Sequence, residues 1–254
     1  MRQFDVIVLE KNSSPSDKWT HPFEDPALGW SLSSDWNQPL QNIDAEWVVF
    51  ADPSVKIDRN FLNSLAEVIE GFPMVDAFAP RLKFDGHFYG GLLLNGAKGL
   101  TPISENDKMR YVAAPNPLIA VFSSRIIQRT GQFDLNLPPE FRLMDYTLRM
   151  AHAGGKMFSV PYLVTTLETN QAALVTGLYL KGKNAITPLW EIYYKTLSVS
   201  FLIGFTLRHP TKILKFLGFD KGQKRRQFKR DKATSLSKLT ADYLKEISLK
   251  MCDN

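Results

Sequence analysis

The sequence predicts an α/β protein: a mixed sheet flanked by helices over about residues 1–175, then a helical, basic extension over 176–254. Three observations predict it. Short apolar runs rich in β-branched residues, Phe4–Leu9, Trp47–Ala51 and Leu118–Phe122, read as buried strands. Helical patterns alternate with them, most clearly where Phe61, Leu62, Leu65, Val68 and Ile69 share one face. The charge also divides. Residues 1–175 carry 15 Lys and Arg against 20 Asp and Glu, a net of −5, whereas residues 176–254 carry +10. The basic pI of 9.2 therefore belongs to the tail.

At 254 residues, with 44% hydrophobic and 22% charged residues, the chain can bury a full core. Its single cysteine, Cys252, excludes an intrachain disulfide and any multi-cysteine metal site, and fits a reducing compartment. The opening MRQFDVIVLEKN lacks the pattern of a signal peptide. No apolar run approaches the roughly 20 residues that span a bilayer. The expected location is cytoplasmic, with a peripheral position on the inner membrane face.

Phe4–Leu9 is read as a buried strand that ends at Glu10 and enters a turn-rich loop, Lys11–Asp17. Residues 18–36, rich in Trp, Pro, Asp and Ser, are read as an irregular loop. Asn37–Ile43 reads as a short helix. Trp47–Ala51 is a strand that Asp52 ends. Asp58 caps the amphipathic helix that Gly71 and Pro73 close. Val75–Pro80 reads as a strand. Arg81–Phe84 and His87–Leu94 flank Asp85-Gly86, a two-residue hairpin signal. Gly90, Gly91 and Gly96 suggest a permissive, flexible lip, and residues 101–116 a polar loop. The four histidines, 21, 87, 152 and 209, have no spacing for joint metal ligation.

The stretch Val121–Pro161 has its own grammar. Ser123 and Ser124 cap a short helix, RIIQRT, and Gly131 ends it. Gln132-Phe133-Asp134 turns towards Pro138-Pro139. A second helix follows with Leu143, Tyr146, Leu148, Met150 and Ala151 as its apolar positions; Gly154-Gly155 stops it before the strand KMFSV. Order and spacing over this stretch resemble the second half of family 2 glycosyltransferases, whose pattern runs "G-G-F-D … E-D-x-D-x-x-x-R-x-x-x-x-G-y-k". DAEWVVFADPSVKI similarly resembles that family's "a-x-g-e-y-v-l-f-l-D" strand, and the resemblance covers about two thirds of the chain.

The resemblance implies a reduced GT-A fold and a nucleotide-sugar donor. Glu10, at the end of its strand, takes the place of an Asp that recognises the base. Asn37 falls where the family has "rN-x-g". Asp52 takes the first place of the D-x-D motif that holds a divalent cation, Mg or Mn, and the donor's ribose-diphosphate; Ser54 replaces the second acid. Asp52 is also readable as a plain turn acid at a strand end. If Phe4–Leu9 is the family's second strand, the first is absent; if it is the first, an interior unit is missing. Either alignment shortens the nucleotide half.

Asp145 aligns with the second acid of E-D-x-D when Arg149 is matched, and it is the candidate base that would deprotonate an acceptor hydroxyl. Arg142 and Leu143 then stand on the "ED" positions, with Glu140 a weaker substitute. Asp145 is equally explained as an acid in the first turn of its helix, favoured by the helix dipole. The family's later histidine has no counterpart in PYLVTTLETNQAAL.

In the tail, Trp190, Tyr193 and Tyr194 precede the apolar LSVSFLIGFTL at 197–207, and KGQKRRQFKR follows at 221–230. Aromatics, an apolar face and then cations suit a helix lying on an anionic membrane surface. A buried closing helix with a solvated basic linker fits the same letters. Nucleic-acid binding is a weaker expectation, because only Phe228 is available to stack in the run. A last amphipathic pattern, Leu236 to Met251, offers a homo- or hetero-oligomer face. The sequence thus points to transfer of a sugar from a nucleotide-diphosphate donor to a glycan or lipid-linked acceptor, in polysaccharide biosynthesis. The alternative is a catalytically inactive GT-A-like module that binds a protein partner or a glycan.

Overall fold

A computed structural model describes residues 2–9, 28–33, 35–94, 100–103, 108–135 and 139–167. Glu10, the tail and the division near residue 175 lie outside the described residues. The first strands are β1 (Arg2–Leu9), β2 (Leu28–Ser33) and β3 (Ala45–Ala51), followed by the short β4 (Val55–Lys56) and helix α1 (Arg59–Gly71). Next come β5 (Ala77–Phe78), β6 (Arg81–Phe84), β7 (His87–Tyr89), β8 (Leu92–Leu94), β9 (Leu100–Pro102) and β10 (Arg110–Tyr111). The chain continues through β11 (Ile119–Ser123), α2 (Ser124–Thr130), α3 (Pro139–His152), β12 (Met157–Ser159) and β13 (Val164–Leu167).

The main sheet has seven strands in the order β10-β12-β5-β11-β3-β1-β2. β1 is parallel to both β2 and β3, and β11 runs antiparallel between β3 and β5. β1 lies one strand in from the β2 edge, with β2 on one side and β3 on the other. A second sheet, β4-β13-β6-β7, and a small pair, β8-β9, complete the strands.

The near-continuous apolar text of β1 and β3 has a physical reason, because both faces of the sheet are covered. Phe4, Val6, Val8, Trp47, Val49 and Ala51 pack into one cluster with Phe61, Leu62, Leu65 and Val68 of α1. Ile7, Leu9, Val48 and Phe50 pack into the other with Ile126, Ile127, Leu143, Tyr146 and Met150 of α2 and α3. Each such fully buried side chain contributes about 1.5–3 kcal/mol of transfer free energy. Local signals set the element ends. Asp58 accepts from the Phe61 amide at 2.9 Å and caps α1. Ser123 accepts from the Ile126 amide at 3.3 Å and caps α2, which Gly131 leaves at φ 81°. Asp85 and Gly86, at φ 49° and 76°, make the hairpin turn between β6 and β7.

Several expectations are corrected. The stretch 18–36 contains β2, paired parallel with β1 over six residues. Its LGWSLS alternates Leu28, Trp30 and Leu32 with small residues, a period of two hidden by polar neighbours. The return strand of the hairpin stops at Tyr89, and Leu92–Leu94 pairs with β9 instead. Gly90 and Gly91 form no loose lip. Both are buried, and a Cβ on Gly91 would meet Val112 at 2.9 Å. Gly96 lies outside the described residues. The supposed loop 101–116 supplies parts of β9 and all of β10.

Candidate functional site

Chain direction decides where chemistry can gather. β1, β2 and β3 are parallel, so their carboxyl ends share one rim of the sheet. β2 and β3 lie on opposite sides of β1, so the place where the strand order reverses falls beside β1 and β3 at that rim. Asp52 is the first residue beyond β3 and so stands at this switch point. It is buried, at 8% exposure, although it carries a carboxylate.

Hydrogen bonds through its amide, carbonyl and side chain hold Asp52. Its amide donates to the Leu118 carbonyl at 2.8 Å. Its Oδ1 accepts from the Ser54 amide at 3.0 Å and from the Ser54 hydroxyl at 2.5 Å. Its carbonyl accepts from the Val55 amide at 2.9 Å, which closes the turn into β4. Asn116 secures the opposing strand. It is fully buried, its Oδ1 accepts from the Leu118 amide at 2.9 Å and its Nδ2 donates to the Tyr89 carbonyl at 3.3 Å. In the sequence only the place of Asn116 between two prolines, which have no amide hydrogens to donate, marks it.

The Phe133-Asp134 turn comes to the same rim. β11 starts at the Asp52 end, with Ile119 opposite Ala51, and α2 carries the chain back. Phe133 lies edge-on to Trp36 and Phe50, both at 5.2 Å, and 4.3 Å from Tyr146. Asn37 holds its backbone from the other side, Oδ1 accepting from the Phe133 amide at 2.7 Å and Nδ2 donating to the Phe133 carbonyl at 3.2 Å. Asn37 therefore spends its amide on positioning this turn. Asp134 is buried next to it.

Asp145 is carried by α3. It is six residues beyond Pro139, about 9 Å along the axis of α3 from its amino end. Its Oδ2 accepts from Arg149 Nε at 2.8 Å, a partly buried i,i+4 ion pair. The Arg149 guanidinium also lies 5.1 Å from the centre of the Tyr146 ring. Burial pushes the Tyr146 phenol well above its ordinary range, against the opposing pull of Arg149. Leu143 is in the core at 1% exposure. Arg142 packs over Trp36 at 5.1 Å and donates to the Leu135 carbonyl at 3.2 Å.

A hollow of about 230 Å³ lies on the β1–β2 flank, lined by Asp5, Ile7, Trp30, Ser31, Ser33 and Asn42 among others. Asp5 at its floor accepts from the Asp44 amide at 3.2 Å. None of Asn37, Asp52 and Asp145 lines it. Among the described residues no group of three or more His, Cys, Asp or Glu side chains could hold a metal ion. None of the described helices is long and apolar enough to cross a membrane.

No protein-family model matches the chain, and no curated protein matches its sequence. Solved structures do. GalNAc-T7 with UDP, GalNAc and Mn2+ matches with a TM-score of 0.58 at 10% identity, over 97% of this chain and 56% of its own. This is a GT-A fold. TarS 1–349 of S. aureus with UDP-GlcNAc also matches (TM-score 0.47, 12% identity, 75% of this chain and 65% of that one). The mannosyltransferase PcManGT of Pyrobaculum calidifontis, with GDP-Man and Mn2+, matches with a TM-score of 0.43 at 14% identity, over 98% and 87%. The chain spans little more than half of the GalNAc-T7 structure.

Proposed function

We propose that the chain is a glycosyltransferase that takes a nucleotide-diphosphate sugar at the rim beside β1 and β3 and passes the sugar to a glycan or lipid-linked acceptor. The observation that carries this reading is Asp52, a buried carboxylate tied down at the switch point of a GT-A sheet. The GalNAc-T7 structure, which shares the fold, carries UDP and Mn2+, and that supports a donor of the same class. In this reading Asp52 meets the ribose or diphosphate, Glu10 reads the base, and Asn37 and Phe133 shape the rim. Asp145 is the candidate base; the basic tail rests on an anionic membrane surface.

A second reading has its own observation. Asp145 is ion-paired with Arg149, and Leu143 fills the core where the family pattern has an acid. Both favour a GT-A-like module that binds a protein partner or a glycan without transferring sugar. One experiment separates the two. The full chain is given UDP-, GDP- and dTDP-sugars, and release of the nucleoside diphosphate is followed. Release from one donor, abolished in Asp145→Asn while nucleotide binding persists, is the outcome expected of the transferase. Nucleotide binding with no release, in wild type and variant alike, decides for the silent module.

A further inference from the structure

The geometry around Asp52 points to a donor site that works without a bridging cation. This inference rests on the donor-site reading above. A divalent cation that links a protein to a diphosphate needs hard oxygen ligands with lone pairs free to turn towards it. At the matching turn the side-chain oxygens come from Asp52 and Ser54. The Ser54 hydroxyl donates to Asp52 Oδ1 at 2.5 Å, and the Ser54 amide donates to the same atom at 3.0 Å. The hydroxyl is the only one of the two groups with a proton to give, so that proton lies between the oxygens. A cation bridging the pair would have to displace it. Both residues are buried, at 8% and 5% exposure, and the Asp52 amide and carbonyl are pinned by Leu118 and Val55. The turn is therefore built as a closed Asp–Ser unit, and the two residues do not fit a cation bridged between Asp52 Oδ1 and the Ser54 hydroxyl.

We propose that Ser54 locks Asp52 as a hydrogen-bond acceptor for a nucleoside diphosphate's hydroxyl groups, and that the chain binds this ligand equally well with and without Mn2+ or Mg2+. The lock also predicts what would open the site to metal. Ser54→Asp replaces the donor by a second carboxylate, and two close buried carboxylates repel until a cation sits between them.

The test is calorimetric titration of the full chain with UDP, GDP and dTDP, each in Mn2+ and in EDTA. One nucleotide is expected to bind with dissociation constants that agree within about twofold, a difference under 0.5 kcal/mol. Mn2+ alone, followed by its paramagnetic resonance signal, is expected to stay free with wild type. It is expected to be captured by Ser54→Asp, whose melting temperature should then rise with Mn2+ while that of wild type stays put. Binding by wild type that EDTA weakens tenfold or more overturns the inference and leaves the donor-site reading intact. Absence of nucleotide binding in both arms, on folded protein, overturns the donor-site reading and the inference with it. The comparison in wild type decides even where Ser54→Asp fails to fold.

Discussion

Asn37 does its structural work far along the chain from its own position. Its amide spans 96 positions to hold both the N–H and the C=O of Phe133. Asn37→Ala would leave a buried N–H without an acceptor, which costs about 1–3 kcal/mol. Urea denaturation should show that loss as a lower midpoint at unchanged slope. The sequence offered Asn37 through resemblance, and nothing in its neighbours reveals a partner so far along the chain. Asp145 differs, because its partner Arg149 is four residues on, the spacing that brings side chains together on a helix. That pair could be read from the letters. Ser54 could be read as a substitution, but its hydrogen bond to Asp52 needed the turn geometry.

Elements were legible where burial is symmetric or a cap is local. β1, β3 and β11 announce themselves because both faces are covered, and α1 because Asp58 marks its start. β2 was hidden because an edge strand needs only half its residues apolar, and Leu28, Trp30 and Leu32 alternate with Gly29, Ser31 and Ser33. The Gly90-Gly91 pair misled for a related reason. Glycine signals both freedom and tightness, and the sequence cannot tell which; here a Cβ on Gly91 would lie 2.9 Å from both methyls of the fully buried Val112. Gly91→Ala should therefore destabilise the fold by about 1–3 kcal/mol, as overpacking does. A thermal melt checks it, and an unchanged or higher melting temperature would restore the flexible lip.

At the scale of the molecule, sheet order gathers Asp52, Asn116, Asn37 and Phe133 at one rim, drawn from positions 37 to 133. Pattern and spacing gave the α/β class and most strands; they could not give strand order, which depends on crossovers. The whole molecule also carries its uneven charge. The proposed membrane contact is testable through the six cations of 221–230. Replacing Arg225, Arg226, Lys229 and Arg230 by Gln should weaken binding to phosphatidylserine vesicles by about 1 kcal/mol per cation removed. Sedimentation with the vesicles measures this, and retention undiminished by the four replacements would count against lipid contact.

The link from the Asp52 amide to the Leu118 carbonyl has a consequence for proton exchange with solvent. The floor beneath the rim, Val48–Phe50 beside Ala120–Phe122, is fully buried and its two strands are paired with each other, so its amides exchange only when the whole fold opens. The Asp52 amide sits one step beyond, under a carbonyl whose residue Asn116 holds. Asn116→Ala should speed deuterium uptake at Asp52 by about tenfold, the effect of losing a hydrogen bond of about 1.4 kcal/mol, before the floor responds. That one proton is a built-in gauge of the rim, and a bound nucleotide should slow it.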